Sequence, residues 1–222
     1  APDRVLKKKL RKLLPALQQA ERRAAAQAGV EDVAHGFVRG RSPVTCAMRH
    51  VRKGITVNMD LADWFDSVRP EQILAGLATA GVTEAKAQEW TERVCYEGAP
   101  RQGLPTSPTA ANLAAVELDR RILEALKGLD AVYTRYADDI AVSLKADDPD
   151  MARCVVSMVS SAVESMGWRV AENKVHVQRK RGGRRVIVGV SVNGDLRPPR
   201  DMRRRLRAAR KNTLLADCGQ NL

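Results

Sequence analysis

The chain has 222 residues, 44% of them hydrophobic, and carries 38 lysines and arginines against 26 aspartates and glutamates, a formal charge of +12. That length buries a sizeable core in one domain or two joined subdomains, and the charge points away from cationic partners and toward a long polyanion, because neutralising phosphates releases counterions. No apolar run is long enough to span a membrane, and Cys46, Cys95, Cys154 and Cys218 with His35, His50 and His176 show no zinc spacing.

Residues 4–27 are basic and rich in Leu and Ala, which predicts a helix. The Lys and Arg cluster at 7–12 reads as a solvated face, and it also breaks residues 6–16 as a signal-peptide core. Scattered, unpaired cysteines predict buried free thiols in a reducing, cytoplasmic setting. Residues 35–42, rich in Gly and Arg, read as a turn region. Ile55, Val57 and Met59 alternate with polar residues, predicting a strand that ends at Asp60. Pro70 after Asp66-Ser67 marks a helix start with Ile73, Leu74 and Leu77 on one face, and a further helix is expected over 84–97. Ser107-Pro108 is a second start signal, with Ser107 as cap and Pro108 as first helical residue. Strands over 132–136 and 140–144, with Ala137-Asp138-Asp139 between them, have hairpin spacing. An amphipathic helix follows over 151–166. Residues 185–193 alternate as a strand, closed by the hairpin dipeptide Asn193-Gly194. A last helix, over 199–211, carries a dense arginine face. The order suits an α+β fold with helices packed on one face of a sheet.

Two adjacent acids between apolar strands repel each other unless a cation sits between them or water solvates the turn. Asp60 ends another predicted strand. If the strands are neighbours, three carboxylates converge at one end of a sheet. Such hard oxygen ligands suit Mg²⁺, and two such ions activate an attacking hydroxyl and stabilise a leaving oxygen in phosphoryl transfer. Spacing alone leaves nucleotidyl transfer and nucleic-acid cleavage both open.

Tyr136-Ala137-Asp138-Asp139 resembles the YxDD motif of reverse transcriptases. The run from Asp60 to Phe65 resembles the family's first acidic motif, an Asp followed five places later by an aromatic residue. Residues 101–108, Arg-Gln-Gly-Leu-Pro-Thr-Ser-Pro, resemble its QGxxxSP motif, and Gly167 through Asn173-Lys174 resembles a later glycine-to-lysine motif. The four stand in the family's order. The phrases at 103–108, 133–139 and 35–42 resemble the bacterial retron-type enzymes. Two positions depart from them: Cys46 stands where their NAxxH motif has Asn, and Val188 where a VTG triplet has Thr.

The resemblance covers roughly 4–211 and implies a right-hand polymerase. Residues 1–54 would form partial fingers, 55–195 a palm with inserted finger elements, and 196–222 the start of a short thumb, since relatives extend further on both sides. It implies an RNA-directed DNA polymerase that adds dNTPs to a primer 3′-hydroxyl. Asp60, Asp138 and Asp139 would hold two Mg²⁺ ions, with Mn²⁺ able to substitute. Lys174 would approach the triphosphate and protonate pyrophosphate. Phe65 would exclude a 2′-hydroxyl. Gln102 and Gly103 would contact nucleotide and template, and Arg4 and Arg41 the triphosphate. Tyr136 would pack beneath the hairpin or touch the primer end. Arg203, Arg204, Arg207 and Arg210 would track the duplex backbone. The implied partners are an RNA template, a DNA product or primer, a structured non-coding RNA and an effector protein in antiviral defence, with no membrane. A template-independent or protein-primed phage-defence polymerase, an RNA polymerase and a non-catalytic nucleic-acid binder stand as alternatives.

Overall fold

The computed structural model describes residues 4–196 together with Arg204 and Arg207. In α1 (Arg4–Gln27) Leu10, Leu13, Leu17, Ala20 and Ala24 recur at steps of three and four, and all are buried. That stripe packs α1 against α4 (Pro70–Thr79) and α6 (Ser107–Ala125), which also cross each other. The crossing is close because Gly76 of α4 has no side chain; a Cβ there would stand 2.3 Å from the Leu113 carbonyl oxygen. With α7 (Pro149–Ser165) these helices form one layer.

The sheet beneath that layer has four strands in the order β2-β3-β1-β4 and is antiparallel throughout. Its strands are β1 (Ile55–Asp60), β2 (Ala131–Tyr136), β3 (Asp139–Leu144) and β4 (His176–Arg179). The side-chain period of two divides it. Ile55, Val57, Met59, Ile140, Val142, Leu144 and Tyr133 join the main core with the helices. Thr56, Thr134, Ala141 and Ser143 point to the other face. There α2 (Pro43–Met48) and the small hairpin of β5 (Val186–Ile187) and β6 (Val190–Ser191) form a second, thinner layer. The α+β fold is therefore as expected, but the second face is covered as well.

His50, just after α2, is fully buried in that layer. Its Nδ1 lies 2.9 Å from Ser143 Oγ and its Nε2 2.7 Å from Thr134 Oγ1, while Cys46 Sγ lies 3.2 Å from the same threonine hydroxyl. Burial pushes the imidazole down to about 3 from 6.5. A base whose folded value is depressed contributes stability that is complete above its unfolded value and is lost as pH falls toward the folded one. The stability cost of His50→Gln, read by denaturant unfolding, is therefore expected to shrink by about 2–3 kcal/mol between about pH 7 and pH 4.5. A cost independent of pH would refute the buried neutral imidazole.

Four local expectations are corrected. The helix expected over 84–97 stops at Val94 as α5 (Glu84–Val94), because Tyr96 and Ala99 bridge around Glu97 and Gly98, both at positive φ. Ser107 does not cap α6: Thr106 stands at the cap, and Ser107 Oγ donates instead to the Arg101 carbonyl at 2.6 Å. The strand over 185–193 is broken into β5 and β6. Its turn is Val188-Gly189, both at positive φ, and Asn193 uses its side chain to hold Arg185 N and the Gly183 carbonyl. Cys154 is exposed on α7 rather than buried, whereas Cys46 is buried as expected.

Candidate active site

The two acidic motifs meet because β1 ends where β3 begins. Asp60 and Asp139 are register partners, and Leu61 N donates to the Asp138 carbonyl at 3.0 Å. The bend between β2 and β3 is only two residues, Ala137 and Asp138. Ala137 adopts φ 57, a left-handed conformation that costs a residue with a Cβ about 1–2 kcal/mol. Two contacts hold it there. Arg135 Nη1 donates to the Ala137 carbonyl at 3.1 Å. Gly36 lies so close behind the bend that a Cβ on it would stand 2.3 Å from Ala137 N. Gly36→Ala is expected to push the acidic bend outward and lower stability by about 1–3 kcal/mol; an unchanged melting temperature would show that the bend tolerates the displacement.

Arg135 itself is 1% exposed and pairs with Asp119 of α6, which is 2% exposed. The pairing is two-pronged, at 2.9 and 2.8 Å, and Tyr133 Oη donates to the same carboxylate at 2.7 Å. The remaining Arg135 nitrogen reaches Asn112 Oδ1 at 3.0 Å, and Asn112 Nδ2 donates to Glu21 and to the Gly36 carbonyl. Burial pushes Glu21 up to about 7. The guanidinium also lies 5.2 Å from the Trp64 ring centre. This buried network was missed in the sequence, where Asp119 and Asn112 pass as helix residues.

On the other side of Asp60, its carbonyl accepts from Ala171 N at 2.8 Å, and a short turn at Glu172–Lys174 follows. That turn puts Lys174 Nζ 2.7 Å from Asp60 Oδ1. Asp139 is raised to about 6, first by partial burial and then by the charges of Asp138 and Asp60. Among the described residues no three His, Cys, Asp or Glu side chains are grouped so as to hold a metal ion by themselves. Mg²⁺ does not require three: it takes one or two carboxylates and completes its octahedron with water and substrate phosphates. Asp60 and Asp138 both line the cleft and offer such oxygens, while Lys174 supplies the positive charge beside Asp60. The donor set fits a hard divalent ion.

The cleft has a volume of 870 Å³ and brings together Asp60, Asp138, Lys174, Phe65, Gln102 and Gly103 from four motifs. Gly103 sits at φ +90, which disfavours any side chain. Arg101 ties this loop down, donating to Asp66 at 2.9 Å and to the Tyr96 and Glu97 carbonyls. Phe65 stands on α3 (Trp64–Ser67), a single turn entered through Asp63 at φ 48. Asp139 is on the rim, and Tyr136, its register partner on β2, packs half-buried between the two cores.

Arg41 is not in the cleft. It donates to the Ala34 and Glu31 carbonyls and pairs with Asp32, holding a loop shut. Arg4 is exposed on α1 and does not line the cleft. Lys7 and Arg11 do line it, one turn apart on α1. Their four-residue spacing was the available signal, hidden inside a run of cations. Arg204 and Arg207 are helical and exposed, whereas Arg203, Arg210 and most of the expected 199–211 helix lie outside the described residues.

An antiparallel sheet under one helical layer, with an acidic hairpin at its end facing a cleft, is the palm of a right-hand polymerase. The family model for reverse transcriptase (RNA-dependent DNA polymerase) matches residues 3–192, and the chain belongs to that family, in its bacterial retron-type branch. It is 36% identical to the retron Mx162 reverse transcriptase of Myxococcus xanthus over 215 residues, covering 82% of this chain and 44% of the relative. Against the retron Mx65 enzyme of the same organism it is 36% identical over 226 residues, covering 94% and 51%. The chain thus spans about half the length of the curated relatives it matches. Among solved structures, telomerase from Candida albicans with a TWJ fragment of telomeric RNA superposes with TM-score 0.63 at 10% identity, over 83% of this chain and 39% of that one. At that identity the likeness is one of fold.

Proposed function

We propose that this chain is the catalytic portion of an RNA-directed DNA polymerase of retron type. The observation that carries it is the register match of Asp60 with Asp139, which sets both acidic motifs beside Lys174 at the mouth of one basic-rimmed cleft. The primer 3′-hydroxyl attacks the α-phosphate of a dNTP in line, and pyrophosphate leaves. Asp60 and Asp138, with Asp139 at the rim, would hold two Mg²⁺ ions, which when bound lower the pKa of the attacking hydroxyl and neutralise charge on the leaving oxygen. Lys174 exchanges its contact with Asp60 for the triphosphate and gives a proton to the departing pyrophosphate. Lys7 and Arg11, rather than Arg41, supply the cations on the facing wall. Phe65 closes the sugar site against a 2′-hydroxyl, and Gln102 and Gly103 let the base and template backbone approach. Residues 1–54 serve as part of the fingers and 55–195 as palm; the start of a thumb expected over 196–222 lies almost wholly outside the described residues. The polymer partners are an RNA template and the growing DNA, with a structured non-coding RNA and an effector protein as further partners of the retron type.

The test is primer extension on poly(rA)/oligo(dT) with Mg²⁺, comparing dTTP with UTP and adding an arm without template. Extension with dTTP that needs the template is the expected result. Products formed without template would move the chain to the template-independent branch, and products from UTP alone to RNA synthesis.

A further inference from the structure

The chain has two phenylalanines, Phe37 and Phe65, and they touch. Their ring centres are 6.2 Å apart at an interplanar angle of 61°, an edge-to-face contact. Both rings line the cleft. Phe65 is also tilted against Trp64, with centres 5.3 Å apart. Trp64 is buried and sits under the Arg135 guanidinium, so one neighbour of Phe65 is anchored in the core. Phe37 is the other neighbour, and it is 47% exposed.

Phe37 is costly where it stands. It leaves a large apolar surface in water, and its backbone is at φ 63, a conformation that side chains rarely adopt. Its flanks leave it no alternative. His35 N donates to the Arg135 carbonyl at 2.7 Å, and Asn112 Nδ2 donates to the Gly36 carbonyl at 3.0 Å. Gly36 is wedged against Ala137 of the acidic bend. Past it, Arg41 N donates to the Val38 carbonyl and the Arg41 side chain holds Ala34. The chain must turn at residue 37, and the turn delivers the ring to Phe65. Backbone strain and an exposed aromatic at one residue, facing the same cleft, are costs that packing of the core does not repay.

We propose that Phe37 is a specificity-determining residue that braces Phe65 from the cleft side and so sets how strictly the sugar site refuses a 2′-hydroxyl. The inference rests on the gate reading of Phe65 given above. A gate discriminates only while its wall is stiff; a ring free to turn away makes room for one more oxygen. Trp64 fixes Phe65 from below and Phe37 limits its swing from above. Because Gly36 abuts Ala137, the brace is tied to the same bend that presents Asp138, which keeps sugar site and carboxylates in one frame.

The experiment is single-nucleotide incorporation by the full-length protein opposite an RNA template, read as the ratio of kcat/KM for dTTP over UTP. Wild type is compared with Phe65→Ala, Phe37→Ala, Phe37→Leu and Phe37→Tyr. The ratio is expected to fall roughly a hundredfold in Phe65→Ala. In Phe37→Ala it is expected to fall about three- to tenfold, mainly through a lower KM for UTP, with Phe37→Leu moving the same way. Phe37→Tyr keeps the ring edge and restores the ratio. A merely structural role would lower both efficiencies together and leave the ratio unchanged. A wild-type ratio in Phe37→Ala, or in Phe37→Leu where the alanine variant does not fold, overturns the brace while a collapse in Phe65→Ala leaves the gate standing. An undiminished ratio in Phe65→Ala overturns the gate itself, and the brace with it.

Discussion

Asp60→Asn and Asp138→Asn are each expected to lower primer extension by on the order of a thousandfold or more while leaving the melting temperature nearly unchanged. Asparagine keeps the shape and one oxygen but removes the charge that a hard divalent ion requires. Stability is spared because the carboxylates are crowded together, and Asp139 beside them is already driven up to about 6 by partial burial and then by the charges of Asp138 and Asp60. The ion pair lost in Asp60→Asn joins a lysine that is 55% exposed to a carboxylate that is 13% exposed, and with one partner in solvent its contribution to folding is modest. Asp139→Asn should cost less activity than either, since its side chain stands at the rim rather than in the cleft lining. Extension at the wild-type rate by Asp60→Asn or Asp138→Asn would sink the two-metal assignment.

Arg135→Met is expected to have the largest effect on stability, a loss of about 3–5 kcal/mol. The substitution leaves Asp119 buried with its charge unpaired, and it strips the Ala137 carbonyl and Asn112 of a donor. The cost is that of the abandoned carboxylate more than of the lost attraction, which gives a second expectation. Arg135→Met combined with Asp119→Leu should recover a large part of the loss, because two apolar side chains replace a desolvated pair. Urea unfolding of the single and double variants reads both quantities. A single variant within about 1 kcal/mol of wild type would mean that the pair is not the support of the hairpin that its geometry describes. Extension should fall with the single variant too, since the strained bend at Ala137 loses the hydrogen bond that holds it.

Much of the molecule was legible in the residues themselves. Alternation placed β1 and hairpin spacing placed β2 and β3 to within a residue or so, while composition placed α1 and apolar spacing placed α4 and α7. These are near-neighbour properties: the direction of successive side chains follows from backbone geometry, whatever the rest of the chain does. The ordered acidic and glycine motifs identified the family, and the cleft gathers most of the residues they named. Where local signals misled, a longer-range contact had overruled them. Asn193-Gly194 has hairpin chemistry, yet the side chain of Asn193 is taken by Arg185 and Gly183, and the turn falls at Val188-Gly189.

The chain by itself determined its class, the strands β1, β2 and β3 and the carboxylates at their ends. Only the tertiary structure decided which cations line the cleft. Arg41 looked like a triphosphate contact and instead fastens a loop, whereas Lys7 and Arg11 looked like solvent and line the cleft. A cation's partner is set by the docking angle of its helix and by the carbonyls that a loop happens to present, and neither is written in spacing along the chain. The same holds for Asp119 and Arg135, and for Phe37 against Phe65. Asp119 and Arg135 meet where α6 packs on the sheet, and Phe37 and Phe65 meet where a loop closes on α3, so each pair became visible only in the folded chain.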